Sequence, residues 1–156
     1  MPEVKKLYFA YGSNMSQSRL EERVGKVTKI GVHRLACYKL VFDVGMMGSN
    51  KEGKVTRKSF ANLHKTGKRC DYVEGVIFEL TPKQMRILDQ FEGAPYHYNR
   101  VIESYKDKQL TVYISINEDF KLKAVPQQDY LDHIITGCTE NDIRSTRAYI
   151  RAQFKV

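Results

Sequence analysis

The chain reads as an α+β fold, and three features of the sequence predict it. Segments of strand character come mostly as a run, with helices between and after them instead of in strict alternation. One helix start, Thr81-Pro82-Lys83-Gln84, is marked clearly and separates two groups of such strands. No repeat, low-complexity run or long linker divides the 156 residues, so a single domain over 1–156 is expected.

The elements follow in order. Leu7-Tyr8-Phe9-Ala10 is a short apolar run that ends at Gly12 and reads as a buried strand. Ser13 or Ser16 can cap a short helix over 16–24. Residues 28–44 carry Val32, Tyr38, Val41, Phe42 and Val44 and read as strand. Gly45, Gly48, Ser49, Asn50 and Gly53 then mark a long polar loop. Residues 59–64 form the next strand, and Lys65-Thr66-Gly67-Lys68 a turn. The strand over 72–80 contains Gly75, and a glycine inside a strand signals a bulge or the close approach of another backbone or ligand.

Thr81 then caps a helix with Pro82 at its first position and Gln84 completing a capping box. That helix runs through Met85, Ile87, Leu88 and Phe91 and stops at Gly93, with Pro95 beyond. Two strands, over 101–105 and 110–116, flank Lys106-Asp107-Lys108-Gln109 as a hairpin. After Pro126 the pattern gives helices over 127–136 and 140–154, separated by Gly137.

Composition narrows the function. Hydrophobic residues make up 42% of the chain, enough for a core without disulfide or metal staples. Cys37, Cys70 and Cys138 are odd in number, widely spaced and without a CxxC pair, which reads as free thiols in a reducing, cytoplasmic setting. No stretch reaches the length of a membrane span or a signal-peptide core.

The net charge of +8 raises the question of nucleic acid or an anionic substrate. Lys51, Lys54, Arg57, Lys58, Lys65, Lys68 and Arg69 cluster in one stretch, and Arg144, Arg147, Arg151 and Lys155 share one helical face. Neither patch interleaves aromatics to stack bases, so nucleic acid is not the expected partner. His33, His64, His97 and His133 have no partners at ligand spacing, so no metal is expected. No GxSxG, GxGxxG or GxxxxGK[ST] motif marks a nucleophile elbow, a dinucleotide site or a P-loop.

Two segments carry candidate chemistry. In Tyr11-Gly12-Ser13-Asn14-Met15 a buried strand runs into a glycine and two small polar residues before a helix. Gly12 permits close backbone approach, and amides near a helix N-terminus favour an anion. The plainer alternative is an ordinary strand-to-helix turn. In Leu88-Asp89-Gln90-Phe91-Glu92-Gly93, Glu92 sits at a helix C-terminus, where the partial charge is negative, among apolar neighbours. Both effects raise a carboxyl pKa toward the range useful for proton transfer. The alternative is a surface glutamate that escapes to water.

Together these segments resemble the γ-glutamylcyclotransferase family, which has the AIG2-like fold. The resemblance adds the strand over 75–80, the Leu88-Asp89-x-x-Glu92-Gly93 helix end, Tyr113 in a late strand, and Pro126-x-x-x-Tyr130 opening a helix. It implies a small mixed β-barrel flanked by helices. It also implies a cofactor-free, amide-cleaving and cyclising enzyme, a transferase or lyase, acting on a small γ-glutamyl molecule as a monomer or homodimer. Glu92 would be the acid/base group. Tyr11, Gly12, Ser13, Asn14 and Met15 would hold the amino-acid end of the substrate, with Tyr113 and Tyr130 lining the pocket. The family's glutathione-specific branch tends to have Leu at the position of Asn14, and its γ-glutamylamine branch Thr-Leu at Ser13-Asn14. The chain therefore looks more like the branch acting on γ-glutamyl amino acids. Two rivals stand beside this reading: a same-fold binding module using its basic faces, and a hydrolase releasing glutamate instead of 5-oxoproline.

Overall fold

Leu7, Tyr8, Phe9 and Ala10 are all buried, so strand β1 (Lys6–Ala10) has almost no solvent face. An apolar run without polar alternation belongs in the middle of a sheet that is covered on both sides. In the computed structural model, which describes residues 4–49, 55–95, 97–116, 121 and 124–155 (side chains excepted at 46–49 and 55–57), β1 is the central strand of five. The order is β2 (Thr28–Ala36), β5 (Tyr72–Leu80), β1, β7 (Lys108–Ile114) and β6 (Asn99–Tyr105). β1 pairs antiparallel with β5, from Lys6 opposite Leu80 to Ala10 opposite Val76, and parallel with β7 through Leu7 and Tyr8. The sheet is mixed, as expected.

The two faces of β1 feed two cores. Tyr8 and Ala10, with Val76, Phe78 and Leu80 of β5, meet the helices α1 (Gln17–Val24), α2 (Pro82–Glu92), α3 (Gln128–Glu140) and α4 (Arg144–Phe154). Their partners there include Leu20, Leu88, Ile134 and Ile150, all fully buried. Leu7, Phe9 and Tyr11 point the other way. They pack with Leu35, Leu110 and Val112, and with Tyr38, Ala61 and Leu63 from a separate ribbon of β3 (Tyr38–Ser49) and β4 (Val55–Lys65). The sheet curls with this ribbon around the second core, and the helices flank the first. The period-two alternation of β1 thus sorts side chains between a barrel-like interior and a helical layer.

Local rules fix several elements as expected. The Gln84 amide donates to Thr81 Oγ1 (3.1 Å) and the Thr81 amide to Gln84 Oε1 (2.9 Å), closing the capping box of α2. Gly75 lies where a Cβ would sit 2.4 Å from the Ala10 carbonyl oxygen, so the glycine reflects the close approach of β1.

Elsewhere the structure differs from the expectation, in most cases because tertiary pairing overrides a local signal. Residues 28–44 do not form one strand. β2 joins the five-stranded sheet and β3 the ribbon, and the chain changes partner at Cys37, whose φ of 73° makes the tight corner. The Cys37 amide donates to the Asp71 carbonyl (2.7 Å) and its own carbonyl accepts from Thr66 (2.8 Å). The long loop expected from Gly45 is largely ladder. β3 runs to Ser49, with Gly45 opposite Ser59 and Gly48 opposite Thr56, and residues 50–54 lie outside the described residues. Ser16 stands at the N-cap of α1, but its hydroxyl meets Ser18 Oγ (3.2 Å) instead of capping a backbone amide.

Gly137 does not separate two helices either. It lies inside α3, where a Cβ would sit 2.6 Å from Met15 Cβ and 2.8 Å from the Ser16 nitrogen. The glycine lets α3 press onto the turn that follows β1. Among the described residues no helix is long and apolar enough to cross a membrane, and Cys37, Cys70 and Cys138 are all unbridged.

Candidate active site

A cavity of about 340 Å³ opens where the end of β1, the start of α1, the end of α2, β4 and Tyr130 of α3 converge. That is near the lower end for ligand sites and suits a molecule of amino-acid size.

The chain leaves β1 through Tyr11 and Gly12 and makes a single 3₁₀ turn over Ser13–Met15, an element the sequence reading missed. The Met15 amide donates to the Gly12 carbonyl (3.1 Å) and the Ser16 amide to that of Ser13 (3.3 Å). The Met15 amide, expected to face an anion, is therefore used inside the turn. The Met15 side chain is fully buried in the helix-side core and outside the cavity wall, so it anchors the turn from behind. Tyr11, Gly12, Ser13 and Asn14 do line the cavity. A Cβ on Gly12 would meet Tyr130 Oη at 3.4 Å and Ala61 Cβ at 3.6 Å, ordinary contacts. The space around it does not by itself demand glycine. A side chain would instead fill cavity space beside Tyr130.

Glu92 ends α2. Gly93 follows in the left-handed region at φ 64°, its amide donating to the Gln90 carbonyl (3.3 Å) while that of Ala94 reaches Asp89 (2.9 Å). This Schellman arrangement satisfies the last carbonyls and fixes where the Glu92 side chain starts. The carboxylate faces the cavity and accepts from Asn14 Nδ2 at 3.4 Å. Burial in this wall raises the Glu92 pKa to about 7, the Asp89 charge adds to the rise, and Arg23 opposes it. The expected direction holds, but its main cause is enclosure by the cavity. Phe91, expected to desolvate Glu92, is 54% exposed. Glu92 is the sole carboxylate among the described wall residues.

Asn14 links the two sequence-predicted segments. Its Nδ2 also donates to Tyr8 Oη (3.1 Å), and its Oδ1 is buried without a partner. A buried acceptor left unmatched is costly unless a ligand donates to it.

Tyr113 and Tyr130 both reach the cavity wall. Tyr113 Oη donates to Asp89 Oδ1 (2.5 Å), which is clamped by Arg100 Nε (2.8 Å) and Nη2 (2.6 Å), while the Tyr113 carbonyl accepts from Tyr11 Oη (2.5 Å). Tyr130 Oη accepts from the Ala61 amide (2.9 Å). Tyr98, which the sequence reading missed, donates to the Ala61 carbonyl (2.6 Å), so two tyrosines hold both backbone groups of one β4 residue. Burial pushes Tyr8, Tyr11, Tyr98, Tyr113 and Tyr130 well above the usual tyrosine range. These hydroxyls are neutral donors and acceptors at any ordinary pH.

Tyr8, Arg19 and Arg23 also line the wall and were not anticipated. Tyr8 sits in a run that reads as plain core. The arginines had a legible signal, a four-residue spacing on the helix that follows the loop. Of the C-terminal basic stripe, Arg144, Arg147 and Arg151 lie on α4 and Lys155 just past it, and none of them enters the cavity wall; residues 51–54 lie outside the described residues. Among the described residues no group of three or more His, Cys, Asp or Glu side chains gathers to hold a metal.

Comparison with known proteins places the chain and its fold. Residues 8–132 match the family model described as γ-glutamyl cyclotransferase, AIG2-like. The chain is 28% identical over 142 residues to the human γ-glutamylcyclotransferase, covering 88% of this chain and 72% of that protein. A solved γ-glutamyl cyclotransferase superposes with a TM-score of 0.73 at 23% identity, over 92% of this chain and 84% of that one. The crystal structure of a human protein carrying the locus label loc79017 gives a TM-score of 0.70 at 27% identity, over 93% and 85% of the two chains.

Proposed function

The chain belongs to the AIG2-like γ-glutamyl cyclotransferase family of cyclising enzymes, and from that premise we propose that it converts a γ-glutamyl amino acid or amine to 5-oxoproline and the free amino acid or amine, with Glu92 as the proton carrier. The observation that carries this reading is the position of Glu92. A carboxyl raised to about 7 faces a cavity of amino-acid size, touching Asn14 of the loop that closes its inner end.

The chemistry follows from the substrate. A γ-glutamyl amide contains its own nucleophile, but at neutral pH the α-amine is an ammonium and cannot attack. Glu92, ionised, takes one proton. The freed amine attacks the γ-carbonyl, and a bond from nitrogen to the carbonyl carbon, Cδ, closes a five-membered ring. The bond from Cδ to the leaving nitrogen then breaks as Glu92 returns the proton to that nitrogen, and the second proton of the ring nitrogen passes to the departing amine, which leaves as an ammonium. A group with pKa near the working pH suits both transfers, since neither proton state is costly to reach.

The wall does the rest by positioning. A flexible γ-glutamyl chain must be held in its ring-closing conformer, and such orientation can supply up to about 7–11 kcal/mol in favourable systems. Tyr11, Gly12, Ser13 and Asn14 hold the glutamyl end in this reading, with the unmatched Asn14 Oδ1 accepting from the substrate. Met15 supports the loop, and Tyr113 and Tyr130 shape the pocket. The whole chain acts as one domain in the cytoplasm, where three unbridged cysteines are at home.

The test is a panel of γ-glutamyl compounds assayed for 5-oxoproline. Release of 5-oxoproline supports the reading. Release of glutamate in its place assigns a hydrolase. No turnover, together with tight and steeply salt-dependent binding of oligonucleotides, assigns the binding module.

A further inference from the structure

We infer that Asp89 and Arg100 act as one positioning pair, which orients Tyr113 in the cavity wall and balances charge one helical turn from Glu92. The inference deepens the reaction proposed above and rests on it.

α2, β6 and β7 meet at Asp89. Arg100 of β6 and Tyr113 of β7 stand directly opposite each other in the ladder, so both side chains rise from the same face of the sheet. Arg100 grips the carboxylate twice, Nε to Oδ1 (2.8 Å) and Nη2 to Oδ2 (2.6 Å). A fork of this kind fixes the plane of the carboxylate. Asp89 Oδ1 then accepts the Tyr113 hydroxyl at 2.5 Å.

From Tyr113 the contacts return to α2 by a second route. Its ring meets that of Tyr8 edge-on, with centroids 5.8 Å apart. The Tyr8 hydroxyl accepts from Asn14, and Asn14 donates to Glu92. Neither Asp89 nor Arg100 lines the cavity, so the pair acts through residues that do.

Stability alone does not account for this arrangement. Both partners are part-exposed, and an ion pair of that kind contributes little by itself. Asp89 also stands in the last turn of α2, against the helix dipole, and three residues from Glu92, a spacing at which like charges repel. Arg100 brings the balancing charge.

The consequence is read in the titration of Glu92. Burial raises its pKa, Arg23 of α1 opposes the rise, and Asp89 adds to it. The described wall also holds Arg19 of α1 and His97 beyond α2, with tyrosines that stay neutral. Removing the Asp89 charge alone lowers the Glu92 pKa. Removing the Arg100 charge alone leaves Asp89 unbalanced and raises it.

The test follows the pH at which kcat/KM for a γ-glutamyl compound reaches half its plateau, in wild type, D89N, R100Q and the double variant. D89N should move this midpoint down and R100Q should move it up, each by about half a pH unit or more. The double variant, with neither charge, should fall between them. R100K keeps the charge without the fork, so its midpoint should stay with wild type while KM rises about 5- to 10-fold, the size of one lost hydrogen bond. A merely structural pair would lower activity without opposed shifts. That pattern, unmoved midpoints, or an R100K variant with wild-type KM overturns the proposal. Urea unfolding shows which variants fold, and should R100Q not fold, D89N and R100K carry the test on the same criteria. If wild type releases no 5-oxoproline from any γ-glutamyl compound, the reaction reading fails. The NMR titration of the Glu92 carboxyl, identified by its loss in Glu92→Gln, then decides the pair. The same order of midpoints supports it, and coincident midpoints overturn it.

Discussion

The two ends of α2 obey opposite rules. At its N-terminus Thr81, Pro82 and Gln84 satisfy the exposed amides in the arrangement that helix physics favours, and nothing there faces the cavity. At its C-terminus the helix has no basic residue in its last turn, carries Asp89 and ends on Glu92. Carboxylates at that end oppose the helix dipole, and the cavity wall adds desolvation. One end spends its residues on stability, and the other holds a charge where the fold would sooner have none. A residue placed against stability needs another reason to be there, and an enclosed carboxyl raised to about 7 supplies one.

Glu92→Gln gives the largest test of this contrast. The amide fills the same space but cannot take a proton, so kcat should fall by about 100- to 10,000-fold, with substrate binding largely kept. Near-wild-type turnover would remove Glu92 from the mechanism. The pH dependence has two limbs of opposite sign. Activity needs the ionised carboxylate, so kcat/KM should rise as pH climbs through about 7. Stability runs the other way. The folded carboxyl lies above its ordinary 4.5, so its contribution is fully present below about 4.5 and is lost as pH rises through about 7. Glu92→Gln should flatten both curves, read by initial rates and by urea unfolding at several pH values.

The second test concerns how the loop beside Glu92 is held. Gly137→Ala places a methyl group 2.6 Å from Met15 Cβ and 2.8 Å from the Ser16 nitrogen, with backbone on one side that cannot yield. Overpacking of this kind costs about 1–3 kcal/mol. Because Met15 carries the turn that includes Ser13 and Asn14, KM should rise as well. Unchanged stability and KM would mean that α3 does not position the loop. This position also shows what the sequence could reveal. The strand that runs up toward Gly12, the capped α2 and the terminator Gly93 follow from local rules and are present, while the raised pKa of Glu92 has the expected direction but comes mainly from enclosure by the cavity. Gly137 reads locally as a helix breaker, because its reason is a turn more than a hundred residues away. Cys37 fails for the same cause: nothing near it in sequence announces that β2 and β3 pair with different partners. In the site, Tyr98 and Tyr8 were illegible because a tyrosine in a strand or loop looks like packing until its cavity exists. Arg19 and Arg23 were legible by spacing, but spacing alone could not say which face the helix would bury.

The smallest effect belongs to the conventional end of α2. Thr81→Ala removes the acceptor for the Gln84 amide, 3.1 Å away, and leaves that helical amide without its side-chain cap. The cost should be about 1 kcal/mol, read as a lowered urea midpoint with unchanged slope. Both kcat and KM should stay at wild-type values, because Thr81 stands at the far end of α2 from Glu92 and outside the cavity wall. If Thr81→Ala lowered kcat, the helix would be transmitting strain from its cap to Glu92, and the division of labour between its ends would fail. If stability fell and activity held, the same helix would carry a residue for folding at one end and a residue for chemistry at the other, separable by two substitutions.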